Sequence, residues 1–217
     1  MSLKAAVIPV TPLQQNCTLM WCDETMHGVI IDPGNEVDTI LEAVEEVGIT
    51  VDRILLTHGH FDHVGGAMDL SERLHAPIFG PHKDDEFITT AVVKAGEKYH
   101  LPGGRDVAGN TWLNDGDTVT FGNVALDVIH TPGHTPGHIV YYNASAKLAQ
   151  VGDVLFQSSI GRTDFPRGDL NTLIHSITTK LWPLGNDVTF IPGHGPNSTF
   201  GRERASNPYV GDAAPRG

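Results

Sequence analysis

The chain has 217 residues, a formal net charge of −12 at pH 7, 40% apolar and 18% charged residues, with 24 Gly and 14 Pro. It is long enough to bury a substantial core, and this composition suits a globular chain with many tight turns rather than a disordered or fibrous one. The acidity opposes a grip on nucleic acid or on an anionic membrane, since both rely on clustered Lys and Arg.

The opening MSLKAAVIPV has a short apolar run interrupted by Pro9 and no small-residue cleavage site after it, so it does not read as a signal peptide. No stretch approaches the roughly 20 apolar residues that a membrane helix needs, and a cytoplasmic location is the default expectation. Lys4 to Val10, Cys17 to Trp21 and Gly28 to Ile31 are short, rich in Val and Ile, and bounded by Pro, Asn or Gly, as strands are. Cys17 and Cys22 are too few and too close for a disulfide framework and read as strand residues.

Val37, Ile40, Leu41, Val44 and Val47 recur at helical spacing, with Asn35 available as a cap and Gly48 as a stop. Further strands are expected at Arg53 to Leu56, Thr118 to Phe121, Val124 to Ile129, Ile139 to Tyr142, Leu148 to Val151 and Val188 to Ile191. Helices are expected after His63 and after Asp169, the second carrying a stripe of Leu170, Leu173, Ile174, Ile177 and Leu181 that Pro183 and Gly185 would end. This order predicts two packed sheets flanked by helices in a single domain over 1–217, with no repeat and no linker. The polar, Gly-rich stretch from Ala95 to Trp112 reads as a mobile surface loop or as the rim of a site.

Four segments, each following an apolar strand, carry candidate ligands. They are Thr57-His58-Gly59-His60-Phe61-Asp62-His63, His130-Thr131-Pro132-Gly133-His134, Gly152-Asp153 and Pro192-Gly193-His194. Strand ends are rigid, so loops far apart in sequence can be aimed at one point, and the adjoining Gly and Pro permit sharp turns. His58 and His60, two residues apart, can point the same way from extended backbone, while Asp62 and His63 turn toward the next helix. Crowding four such polar groups into six residues would be costly without a partner for their charges. Imidazole and carboxylate without thiolate suit zinc, manganese or iron, and five His with two Asp exceed what one ion needs; two ions sharing a carboxylate fit better. His27, His75, His82, His100 and His175 read as ordinary surface or core residues, and His130 as structural.

These residues resemble the metallo-β-lactamase superfamily, whose HxHxDH motif stands here as His58 to His63 and whose later ligands match TPGH, GD and PGH. The resemblance covers essentially the whole chain and implies an α/β (α+β) fold, a four-layer αββα sandwich with a dinuclear metal site at one edge of the two sheets. It implies that His58, His60 and His134 hold one metal, that Asp62, His63 and His194 hold the other, and that Asp153 bridges them. His138, the second His of TPGHTPGH, is not a ligand in the family pattern and is expected to support the ligands from behind.

Within the superfamily, TPGHTPGH at Thr131 to His138, GRTDFPRG at Gly161 to Gly168 and ERASNP at Glu203 to Pro208 are similar to the glyoxalase II (hydroxyacylglutathione hydrolase) group, particularly its small YcbL-type branch. That resemblance implies hydrolysis of small-molecule thioesters such as S-lactoylglutathione. Only 23 residues follow His194, so the helical C-terminal domain that binds glutathione in the longer enzymes is not expected. A hydroxide between two divalent ions, zinc foremost and iron or manganese also accepted by this donor set, would attack the thioester carbonyl, with Asp62 orienting it. Arg162 and Arg167 could anchor a substrate carboxylate or pair with Asp164 and Asp169. The rival within the resemblance is a mononuclear-iron persulfide dioxygenase, which shares GRTDF but has Cys where this chain has His138 and PAH in place of Pro192-Gly193-His194. A lactone or other ester hydrolase of the superfamily is the remaining alternative.

Overall fold

The computed structural model describes residues 2–101 and 103–214. Strands β1 (Leu3–Val10), β2 (Gln15–Cys22), β3 (His27–Ile31), β4 (Thr50–Leu55) and β5 (Ile78–Phe79) form a five-stranded sheet in that order. The first three are antiparallel neighbours, and β3, β4 and β5 run parallel. The second half of the chain supplies β6 (Thr118–Phe121), β7 (Val124–His130), β8 (Ile139–Asn143) and β9 (Leu148–Gly152). A small ribbon of β10 (Leu155–Phe156) and β11 (Ser159–Ile160) follows, then β12 (Thr189–Pro192) and β13 (Ser198–Thr199). The six-stranded sheet is ordered β13-β12-β9-β8-β7-β6, with β9 and β12 parallel.

The inner strands β2, β3, β8 and β9 are covered on both faces and read as continuous apolar runs, whereas β6 and β7 alternate buried with exposed positions. Met20, Val29, Ile31 and Leu55 of the first sheet meet Phe121, Leu126, Val128, Ile139 and Tyr141 of the second. On the far side of the first sheet, Leu19, Ile30 and Ile54 pack against Ile40 and Val44 of α1 (Val37–Val47). On the far side of the second sheet, Val140, Val151 and Phe190 pack against Leu173, Ile177 and Leu181. Each such side chain, fully buried, contributes about 1.5–3 kcal/mol. Three apolar layers between four layers of secondary structure make the αββα sandwich.

The remaining helices are short: α2 (Phe61–Val64), α3 (Ala67–Leu74), α4 (Glu86–Thr89), α5 (Val92–Lys98), α6 (Leu170–Ser176) and α7 (Phe200–Ser206). Asn35 does not cap α1. Glu36 occupies the cap position at φ 56°, without a side-chain cap bond, and its carboxylate accepts from the Thr11 amide at 3.1 Å instead. Gly48 ends α1 as expected, at φ 76°, with its N–H on the Val44 carbonyl. The helix expected after His63 begins earlier, so Asp62 and His63 lie inside α2, and α3 resumes past Gly65 and Gly66. A Cβ on Gly65 would come 2.3 Å from the Gly34 carbonyl oxygen, which explains the glycine at that packed break.

The stretch expected as an irregular loop from Ala95 is helical through Lys98, because Val92 and Gly96 are buried and anchor it as part of α5. Pro102 lies outside the described residues. Cys17 and Cys22 are buried free thiols on opposite faces of β2. Among the described residues no helix is long and apolar enough to cross a membrane.

Candidate metal centre

Four strand ends converge at one edge of the sandwich. The segment after β4 carries His58, His60, Asp62 and His63; the turns after β7, β9 and β12 carry His134, Asp153 and His194. The parallel pairing of β9 with β12 sets Pro192 opposite Gly152, and the Gly193 amide donates to the Gly152 carbonyl at 2.8 Å, so Asp153 and His194 emerge side by side. Gly193 has no alternative here, since a Cβ would lie 2.1 Å from Asp153 Oδ1 and 2.7 Å from His63 Cε1.

All seven expected ligands come together, in two groups. His58 Nε2 lies 3.1 Å and His134 Nε2 3.0 Å from His60 Nδ1. Nearby, His194 Nε2 lies 3.3 Å from Asp62 Oδ2 and 3.4 Å from His63 Nε2. Asp153 stands between the groups, with Oδ1 3.4 Å from His63 Nε2 and Oδ2 3.6 Å from His134 Nε2 and 3.8 Å from His194 Nε2. These spacings let each group close on one cation.

The outer ring nitrogens set the tautomers. His134 Nδ1 donates to the Arg162 carbonyl at 2.7 Å and His194 Nδ1 to the Leu13 carbonyl at 3.1 Å. His63 Nδ1 donates to Asp32 Oδ2 at 3.0 Å, and His58 Nδ1 to Thr57 Oγ1 at 3.0 Å, because the Thr57 hydroxyl itself donates to Asp32. Four imidazoles thereby turn Nε2 toward the centre, the arrangement by which outer partners prepare histidine ligands.

Electrostatics differ between the two groups. Burial, reinforced by the neighbouring imidazoles, lowers His60 to about 3 and His134 to about 4 and pushes His58 well below its usual range. Neutral rings then face one another across 3 Å with converging lone pairs, and a cation relieves that repulsion. Burial works against charge at Asp62, yet His63 and His194 hold its carboxyl far below the usual range. His63 is also opposed by burial, but Asp153, Asp62 and Asp32 raise it to about 9. Asp153 Oδ1 is buried and makes no hydrogen bond within the protein, an orphaned acceptor at the meeting point of the two groups. A purely N/O donor set with such an acceptor fits divalent metal ions.

Two supporting carboxylates were not expected from sequence. Asp32, wholly buried, accepts from the Thr57 amide at 2.7 Å, the Thr57 hydroxyl at 2.6 Å and His63. It follows the apolar run of β3 in the same strand-end pattern as the ligands, and that pattern was the available signal. Asp85 accepts from the Gly59 amide at 2.9 Å, the Thr135 hydroxyl at 2.8 Å and the Gly137 amide at 2.6 Å. It ties the first ligand segment to the TPGHTPGH turn, yet it sits in a polar run, Lys83-Asp84-Asp85-Glu86, that reads as surface.

His138 stacks on His58 with ring centroids 4.8 Å apart, and its Nε2 accepts from the Asp153 amide at 3.1 Å, so it supports two candidate ligands from behind. His82, Asp84 and His130 also meet, but their geometry differs. The His82 and His130 rings stack at 4.3 Å, which keeps their in-plane lone pairs from converging, and His130 Nε2 is engaged by the Pro136 carbonyl at 2.8 Å. Arg162 is held by Asp164 through two bonds of 2.9 and 2.7 Å. Arg167 lies over the Phe87 ring at 4.3 Å, and Asp169 instead caps α6 by accepting from the Thr172 amide at 2.7 Å.

The ligands open into a cavity of about 880 Å³. Its walls include Phe61, Phe87, Tyr99, Phe156 and Phe165, together with Lys98 and Arg162, so part of the stretch from Ala95 forms the rim.

Known proteins resemble the chain in sequence and in fold. The chain is 44% identical to the hydroxyacylglutathione hydrolase GloC of Haemophilus influenzae, over 94% of this chain and 96% of that protein. Its structure is similar to BLEG-1 B3 metallo-beta-lactamase, with a TM-score of 0.88 and 32% identity over 95% of this chain and 99% of that one. It is also similar to TTHA1623 in a di-iron-bound form, with a TM-score of 0.87 and 34% identity over 94% of this chain and 100% of that one. Residues 10–194, which span all four ligand segments, match the Metallo-beta-lactamase superfamily, and the chain belongs to that family.

Proposed function

We propose that this chain is a metal-dependent thioester hydrolase of the hydroxyacylglutathione type, using two divalent ions, zinc foremost. His58, His60 and His134 would hold one ion, Asp62, His63 and His194 the other, and Asp153 would bridge them. The observation that carries this reading is the meeting of two donor groups at Asp153, with Nε2 lone pairs pre-aimed by outer hydrogen bonds. The 44% identity to a hydroxyacylglutathione hydrolase supports the substrate class. An intact second group, Asp62, His63 and His194, favours a dinuclear hydrolase over a single-iron dioxygenase.

Bound cations of this kind lower the pKa of water toward neutrality and polarise a carbonyl oxygen. The protein's own part is orientation. Asp62, ionised at neutral pH and lining the cavity, accepts a hydrogen bond from the attacking water and fixes its lone pair toward the carbonyl. Asp32 and Thr57 keep His63 and His58 in the tautomer that leaves Nε2 unprotonated. A thiolate leaves without a strong general acid, so no further proton donor is required. Protein loaded with zinc, iron or manganese and given S-lactoylglutathione should release thiol, and Asp153→Asn should not; no thiol release with any of the three metals refutes the reading. Oxygen consumption with glutathione persulfide would instead establish the dioxygenase alternative.

A further inference from the structure

The cavity is apolar where it matters most for a substrate. Phe165 lies with its ring 4.6 Å from that of His60 and 5.6 Å from that of His134, and Phe156 lies 6.4 Å from His194. Aromatic faces therefore border both groups of ligand atoms, and Ile160, Phe87 and Ile88 extend the apolar wall. Outside the two ligand groups, cationic side chains are scarce by comparison. Two cations line the cavity; Arg162 is committed to Asp164, and Lys98 makes no ion pair among the described residues.

A substituent on the carbon next to the reacting carbonyl is two bonds from the site of attack. It must therefore lie against the rings that border the ligands. A methyl group buries little of the surface of Phe165 or Phe156, whereas a phenyl or branched alkyl group removes more of it from water. Resting on the thioesterase reading above, we propose that the site prefers 2-hydroxyacyl thioesters whose acyl group carries a bulky apolar substituent, with Lys98, which makes no ion pair among the described residues, available to an anionic group of the thiol portion.

The test compares glutathione thioesters that differ only in the acyl group, lactoyl against 2-hydroxy-2-phenylacetyl, on metal-loaded protein. The expected result is a kcat/KM at least about tenfold higher for the phenyl compound, the gain that several extra buried carbons provide. Phe165→Ala and Phe156→Ala should each bring the ratio of the two kcat/KM values toward one. General damage to the metal centre lowers both esters and leaves that ratio unmoved. Hydrolysis of both esters with lactoyl equal or better overturns the preference and leaves the thioesterase reading standing, as does a ratio unchanged in both variants. Hydrolysis of neither overturns the reading and the preference with it.

Discussion

Asp32→Asn tests whether the ligands are prepared from behind. Asp32 is wholly buried and acts only as an acceptor, toward the Thr57 amide, the Thr57 hydroxyl and His63 Nδ1. An amide keeps one acceptor oxygen. If it stays on the Thr57 amide at 2.7 Å, the NH2 group faces His63 Nδ1, which must then accept. His63 is driven to the opposite tautomer, with a proton on the Nε2 that faces Asp153 at 3.4 Å. Disturbing such an outer partner weakens metal affinity by about 10–100-fold, or roughly 1.4–2.7 kcal/mol. Loss of charged hydrogen bonds in the interior should also cost about 1–3 kcal/mol of fold stability. Competition titration against a chelator measures the affinity, elemental analysis gives the stoichiometry, and 15N shifts of the His63 ring report the tautomer. A variant with normal affinity and an unchanged tautomer would refute this account of the site.

Other perturbations reach different parts of the same assembly. Gly193→Ala places a methyl group 2.1 Å from Asp153 Oδ1, and it should cut metal retention and hydrolysis at least about 100-fold while far-UV circular dichroism stays normal. In metal-free protein His63 is raised to about 9, so below that pH a cation must displace its proton. Metal affinity should therefore rise about tenfold per pH unit up to about pH 9 and then level, as read by titration across pH. Burial lifts Asp85 from 3.8 to about 6, so the folded state binds this proton more tightly than the unfolded chain. Its contribution to stability is fully present below about pH 4 and lost as pH rises through about 6, by up to about 3 kcal/mol. Denaturant unfolding of metal-free protein at pH 4 and pH 7 should record that loss, and Asp85→Asn should flatten it.

Much of the sandwich was legible because its inner strands are buried on both faces. β8 reads Ile139-Val140-Tyr141-Tyr142 without a polar break, since Ile139 and Tyr141 face the other sheet while Val140 and Tyr142 face the helices. The gathering of the candidate ligands was legible for a related reason: residues of one chemistry recur at strand ends with glycines beside them. What stayed hidden depends on contacts between distant segments. Asp85 sits in a run of charges, and only the meeting of Gly59, Thr135 and Gly137 makes it interior. Glu36 could not be told from Asn35 as the residue before α1, because its left-handed backbone is set by a contact with Thr11, far away in sequence. The helical character of Ala95 to Lys98 was masked by Gly96, whose lack of a side chain admits the Leu101 carbonyl, 2.6 Å from where a Cβ would stand.

Each group of ligand atoms draws on both halves of the chain. His58, His60, Asp62 and His63 leave the five-stranded sheet, whereas His134, Asp153 and His194 leave the six-stranded one. A cation held by either group is therefore a clasp across the seam where the two sheets dock, and neither half can form a complete coordination shell alone. The free energy of metal binding is then also free energy of docking. Chelation should loosen the seam before it unravels either sheet, and hydrogen exchange should rise first where the start of β2 meets the end of β12, at the Asn16 amide on the Gly193 carbonyl.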